Sequence, residues 1–205
     1  MTGRNMVASP LMPNTRARFY FDFVDPLSYL QELEVERVSL ADATEVERIG
    51  FELVPPPAPL TALRDERWRR RYAEARALPA AAAVTLAPPP LVPWTRKAHE
   101  LHALARDSGS GRADEVRRAI FEAYFGRGED IGRVDRLVAI AVLLGFDRTA
   151  VKAALDVDRY QDDVVRARQE ATEAGIVDTP SVALPGGIVR GFHNREALGS
   201  LLRGS

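Results

Sequence analysis

Phe19-Tyr20-Phe21-Asp22-Phe23-Val24-Asp25-Pro26-Leu27-Ser28-Tyr29-Leu30 is the stretch from which the rest of the chain can be placed. Its aromatic run reads as a buried strand that stops at Asp25-Pro26, where a helical pattern begins at once. Asp is a favoured helix N-cap. Pro suits the first helical position, because the N–H it lacks would have no partner there. A strand feeding directly into a helix sets backbone N–H donors and the positive end of a helix dipole at the top of a sheet. That is a common place for a site in an open α/β fold.

Working outward, residues 17–24 read as the first strand. Phe19, Phe21 and Phe23 lie on one face and Tyr20, Asp22 and Val24 on the other. Both faces are mostly apolar, as in a central strand covered on both sides. Asp22 has two readings. It is a carboxylate satisfied by hydrogen bonds near the strand end, or a buried acid beneath the site with a raised pKa and a proton-transfer role. Residues 26–40 carry apolar positions at helical spacing, and 47–54 alternate as a second strand ended by Pro55-Pro56-Pro57. Strand, helix, strand over this length is a βαβ unit with a parallel pair.

From Leu60 to Gly175 the pattern is helical. Residues 61–78 read as a charged helix in which Arg67, Arg69, Arg70 and Arg71 surround Trp68. Opposite charges at Asp65, Glu66 and Glu74 make that cluster a solvated face before a phosphate site. The Ala/Pro stretch 79–93 reads as an extended connector. Thr95 is expected to cap a helix holding His99 and His102. Further helices are expected over 113–125, 133–144 and 148–155 (capped by Asp147), and a last one from Asp156 or Asp158 to Gly175. The β pattern returns at 179–184. Pro185-Gly186-Gly187 turns it back through Ile188-Val189-Arg190, and a final helix covers 195–202. The expected class is α/β, ordered βαβ, helices, ββα. It has a sheet domain at 17–60 and 176–205, a helical insertion at 61–175 and a loosely held tail at 1–16.

These motifs together resemble the DsbA family of thioredoxin-fold proteins, over roughly 17–202. Asp25-Pro26-Leu27-Ser28 occupies the place of Cys-Pro-x-Cys. In the related 2-hydroxychromene-2-carboxylate isomerases and kappa-class glutathione transferases a Ser stands first. Pro93-Trp94-Thr95-Arg96-Lys97-Ala98-His99 resembles an entry into an insertion helix. Ala123-Tyr124-Phe125 and Gly128-Glu129-Asp130-Ile131 resemble an insertion stretch. Gly175-Ile176-Val177-Asp178-Thr179-Pro180-Ser181 resembles the approach to the family's cis-proline, with Asp178 where a glycine is expected. The resemblance implies a thioredoxin-like fold, a cis Thr179-Pro180 bond beside Asp25–Ser28, and a groove that in relatives holds glutathione or a peptide. Pro26, Trp94, Thr179 and Pro180 would line it, with Asp25 and Ser28 as catalytic candidates.

Composition narrows the chemistry. With 205 residues and 46% apolar content the chain can bury a core, and its net charge of −1 gives no general pull toward nucleic acid or an anionic membrane. It contains no cysteine, so dithiol exchange, thiolate nucleophiles and thiolate metal sites are excluded. A carboxylate at Asp25 suits the helix dipole but would repel a thiolate brought close. Glutathione chemistry would then need Asp25 to turn away and Ser28, one turn on, to donate. The plainer role for the pair is a closed cap, with the Ser28 N–H bonded to Asp25. His99 and His102, three apart, lack further ligands, and no metal is expected. Three readings stand open: an isomerase- or transferase-like enzyme using a small molecule or glutathione, a catalytically inactive peptide- or metabolite-binding module, or an oxidoreductase by family label only. The partner expected is a small molecule or peptide, with a homodimer also considered, in a cytoplasmic protein.

Overall fold

β1 (Ala17–Phe21) is the centre of the sheet in the computed structural model, which describes residues 17–42 and 44–204. The expected tail at 1–16 lies outside the described residues. Phe19, Tyr20 and Phe21 are all buried, as a strand covered on both faces requires. β1 is shorter than the 17–24 expected. The backbone turns instead over 22–25, where the Asp25 N–H donates to the Asp22 carbonyl (3.1 Å), and α1 (Pro26–Asp42) follows. β2 (Val46–Gly50) pairs parallel to β1, Phe19 opposite Arg48. It too stops early. The Phe51 N–H still bonds the Phe21 carbonyl at 2.8 Å, and the Leu53 N–H then turns to the Asp22 carboxylate at 2.7 Å.

The segment expected as one helix over 61–78 divides. Residues 61–62 form β3 (Thr61–Ala62), and α2 (Glu66–Ala77) follows. Pro79–Ala83 makes a short 3₁₀ turn, and the extended connector then supplies β4 (Leu91–Val92), antiparallel to β3. Next come α3 (Arg96–Asp107), α4 (Ala113–Phe121), α5 (Val134–Leu143), α6 (Arg148–Asp156) and α7 (Gln161–Glu173). Asp147 caps α6 by accepting from the Ala150 N–H at 2.7 Å, whereas Thr95 makes no side-chain cap to α3. α7 begins after Tyr160, not at Asp156 or Asp158, because the chain first turns through Asp158 in the left-handed region (φ 55°). β5 (Ser181–Leu184) pairs antiparallel to β1, β6 (Gly187–Arg190) pairs to β5, and α8 (Arg195–Arg203) is capped by Asn194. The four-stranded order is β2-β1-β5-β6.

One continuous core joins sheet and inserted helices. After α4 the chain makes a π-helical turn over Glu122–Gly126, with Arg127 N–H reaching back to the Glu122 carbonyl (3.1 Å). The added residue turns Tyr124 and Phe125 inward. Phe125 stacks on Tyr29 of α1 (5.1 Å between centroids) and Phe121 stacks on the same ring (5.2 Å), so α1 is clamped to the insertion by aromatic contact. The Tyr29 hydroxyl donates to Glu122, and burial, then that carboxylate, push its pKa up to about 12.

His102 lies on the same core face, 5.8 Å from the Phe21 ring, with Nε2 unpartnered. Burial first, then the Arg117 charge, hold its imidazole well below the usual 6.5, so the folded ring stays neutral. The unfolded chain takes up a proton near pH 6.5 and the folded one does not. His102 therefore costs stability as pH falls below about 6.5. Denaturant unfolding at pH 7 and pH 5.5 is expected to show a larger loss for the wild type than for His102→Phe. Equal losses would contradict the buried neutral ring.

Candidate functional site

The turn between β1 and α1 delivers Asp25 to the helix N-terminus with its side chain wholly buried. Oδ1 accepts the Leu27 N–H (3.2 Å). Oδ2 accepts the Ser28 N–H (3.2 Å) and the Ser28 hydroxyl (2.7 Å). These bonds satisfy two of the donors that a helix start leaves open, and the dipole adds to them. The Ser28 oxygen in turn accepts the Asp22 N–H at 3.3 Å.

The C-terminal loop closes on the same carboxylate. The Thr179–Pro180 peptide is cis, and the Thr179 hydroxyl donates to Asp25 Oδ2 at 2.8 Å. Asp25, Pro26, Ser28, Thr179 and Pro180 are therefore brought together, all buried. Trp94 stands apart from this set of bonds. It is partly exposed, and its Nε1–H donates to the Ala58 carbonyl at 2.9 Å.

Arg71, on α2, is the group that sequence reasoning missed. The sequence pattern puts it on a solvated basic face. Instead its side chain is only 11% exposed, and Nε donates to Asp25 Oδ1 at 3.0 Å. Nη1 donates to both oxygens of Asp178 (3.0 and 2.9 Å) and Nη2 to the Thr179 carbonyl. Burial opposes its charge, but Asp25 and then Asp178 outweigh that and raise its pKa above the ordinary arginine value. Asp178 also accepts the Thr179 N–H at 2.9 Å. Both backbone polar groups of Thr179 are thus engaged within the protein. The available signal was Asp178 itself, an acid next to Thr179-Pro180 where the family pattern has glycine. Its partner lies 107 residues away in sequence and is found only in the fold.

Below this layer Asp22 is also fully buried. Oδ2 accepts the Leu53 N–H (2.7 Å), and Oδ1 lies 3.2 Å from His99 Nε2. His99 packs on Phe23 (4.8 Å). His99 and His102 are core residues. Among the described residues no group of three or more His, Asp or Glu side chains could hold a metal ion. The hydroxyls of Tyr72 and Tyr124 are buried close to one another, and burial is the main cause that raises the pKa of both.

A parallel β1–β2 pair, an antiparallel β5–β6 hairpin, and a helix N-terminus facing a cis-proline loop define a thioredoxin-fold protein with inserted helices. More narrowly, the chain belongs to the DSBA-like thioredoxin domain family, whose model matches residues 17–203. It is 27% identical over 184 residues to YwbO of Bacillus subtilis (strain 168), an uncharacterized protein, covering 87% of this chain and 91% of that one. Among solved structures it is similar to the "probable DsbA oxidoreductase" of Streptomyces coelicolor, with TM-score 0.77, 25% identity, and 93% and 89% of the two chains covered. A 2-hydroxychromene-2-carboxylate isomerase shares the fold at TM-score 0.70 and 20% identity, with 92% and 93% covered. A cytosolic disulfide reductase of Pseudomonas aeruginosa, solved with glutathione, shares it at TM-score 0.63 and 13% identity, with 92% and 98% covered.

Proposed function

We infer that this DsbA-family protein has left thiol chemistry and works as a binding protein for a small molecule, with the helix N-terminus serving as an internal latch. The observation that carries this reading is the saturation of Asp25. A carboxylate has about four lone-pair positions, and this one receives three side-chain and two backbone donors. No lone pair is left for a substrate proton or an incoming thiol. A thiolate would meet a buried carboxylate, and the Thr179 backbone that could pair with an extended ligand is already bonded to Arg71 and Asp178. Without cysteine, dithiol exchange has no chemical route.

A second reading, an isomerase- or transferase-like enzyme using glutathione, is favoured by one observation. Ser28 stands beside the helix N-terminus in a fold shared with the isomerase. It requires Arg71 to swing out and Ser28 to exchange Asp25 for the ligand. Titrating reduced glutathione to millimolar concentration separates the two. The latch leaves the amide resonances of Asp25, Ser28 and Thr179 unmoved; saturable shifts there would establish the enzyme-like reading. No described helix is long and apolar enough to cross a membrane. A cytoplasmic location and a homodimer remain parts of the proposal to be tested by fractionation and by mass in solution.

A further inference from the structure

Beyond Arg71, α2 turns a different face outward. Together with the connector that leads to β4 it forms a cleft of about 940 Å³, within the range of small-molecule pockets. Leu63, Ala73, Pro88 and Leu91 give it apolar walls. Arg64, Arg69, Arg70 and Arg76 stand around them. A single carboxylate, Glu66, lines the cleft with them. It is shared between Arg70 (3.2 Å) and Arg69 (3.9 Å), both largely exposed. Asp65, the nearest other acid in sequence, is spent on the Ala62 N–H at 3.0 Å. Arg76 donates to the Leu86 carbonyl and lies over the Tyr72 ring, so it carries no compensating anion either.

Four guanidinium groups therefore face one carboxylate across an apolar trough. That charge imbalance selects the occupant. We propose that the cleft binds an amphipathic organic anion, a medium-chain alkyl carboxylate, with its head on Arg69 and Arg70 and its chain along Leu63, Pro88 and Leu91. Guanidinium matches a carboxylate in a planar two-bond geometry, and the hydrocarbon gains by leaving water. Nucleic acid suits the cleft less well, because Trp68, the indole on α2, is fully buried and offers no stacking surface. The proposal deepens the binding-protein reading by giving it a ligand class. It fails separately, since the latch is tested with glutathione and the cleft is tested here.

The experiment is calorimetric titration of the full chain with decanoate below its aggregation concentration, beside butyrate and decyltrimethylammonium. One decanoate per chain is expected to bind, with the short-chain and the cationic probes at least about tenfold weaker. Arg69→Gln with Arg70→Gln weakens decanoate about tenfold, and Ala73→Trp abolishes binding by filling the trough. All three positions are exposed, so unchanged unfolding midpoints confirm that the variants fold. Glu74→Ala, on the same helix outside the cleft, leaves affinity unchanged. Absence of saturable binding, or binding indifferent to Ala73→Trp, overturns the proposal. So does capture by anionic vesicles alone, or a ligand-free dimer broken by Ala73→Trp. These last two outcomes would assign the face to a membrane surface or to a second copy.

Discussion

Arg71→Ala is expected to lower the unfolding free energy by about 3–5 kcal/mol, the range for removing one partner of a buried ion pair. The size follows from what stays behind. Asp25 has no exposed surface, so its charge cannot turn to water once the guanidinium is gone. Asp178 and the Thr179 carbonyl lose the Arg71 donors in the same step, which removes these bonds between the cis-proline loop and α2. Arg71→Lys is expected to recover little, because one ammonium cannot span Asp25, Asp178 and a carbonyl with fork geometry. Asp25→Ala falls in a similar range. It removes the cap of α1, worth about 1 kcal/mol by itself, and leaves the mostly buried guanidinium with Asp178 as its remaining anionic partner. The double variant Arg71→Ala/Asp25→Ala should then cost clearly less than the two single losses added, because each already abolishes the shared contact. Urea unfolding with m held in common checks all of this. Additive losses, or a loss below about 1 kcal/mol for Arg71→Ala, the level of an exposed pair, would remove the latch.

The element order was legible because it rests on local periodicity. The aromatic alternation of β1, the Asp25-Pro26 helix start and the Asp147 cap are short-range signals, and each appears where the pattern puts it. Strand ends were less legible. β1 and β2 both stop short of the alternation, and past Phe51 the Leu53 N–H takes the Asp22 carboxylate as its partner, a side-chain acceptor that hydropathy does not register. The pairing of Thr61–Ala62 with Leu91–Val92 was missed for a related reason. Two-residue strands carry too little pattern, and prolines beside them argue for coil. At the site, the cluster of Asp25, Ser28, Thr179 and Pro180 could be anticipated from the resemblance, because it fixes which segments meet. Arg71 could not. One arginine among five on a charged helix looks like solvated surface until the helix phase and the neighbour across the fold are known.

Asp22→Ala is the second large effect, expected to cost about 2–5 kcal/mol, and it separates the two readings of that residue. Removing the carboxylate orphans the Leu53 N–H and the His99 Nε2–H, each worth about 1–3 kcal/mol when left buried without a partner. His99 has little freedom to find another acceptor. Its ring is held between Phe23 and the backbone at Gly50, where an added Cβ would overlap the imidazole. Gly50→Ala should therefore act on the same contact from the other side, pushing the ring off Asp22. The informative substitution is Asp22→Asn. The amide oxygen can still accept from Leu53, and the amide NH₂ can donate to Nε2 once the imidazole adopts its other tautomer. That tautomer moves the ring proton to Nδ1, which has no hydrogen-bond partner, so the rescue is incomplete. A structural Asp22 gives the order wild type, then Asp22→Asn, then Asp22→Ala in unfolding midpoint, with ligand binding at the α2 cleft unchanged in both variants. A proton-transfer Asp22 gives the opposite separation: Asp22→Asn as stable as wild type, with any turnover abolished.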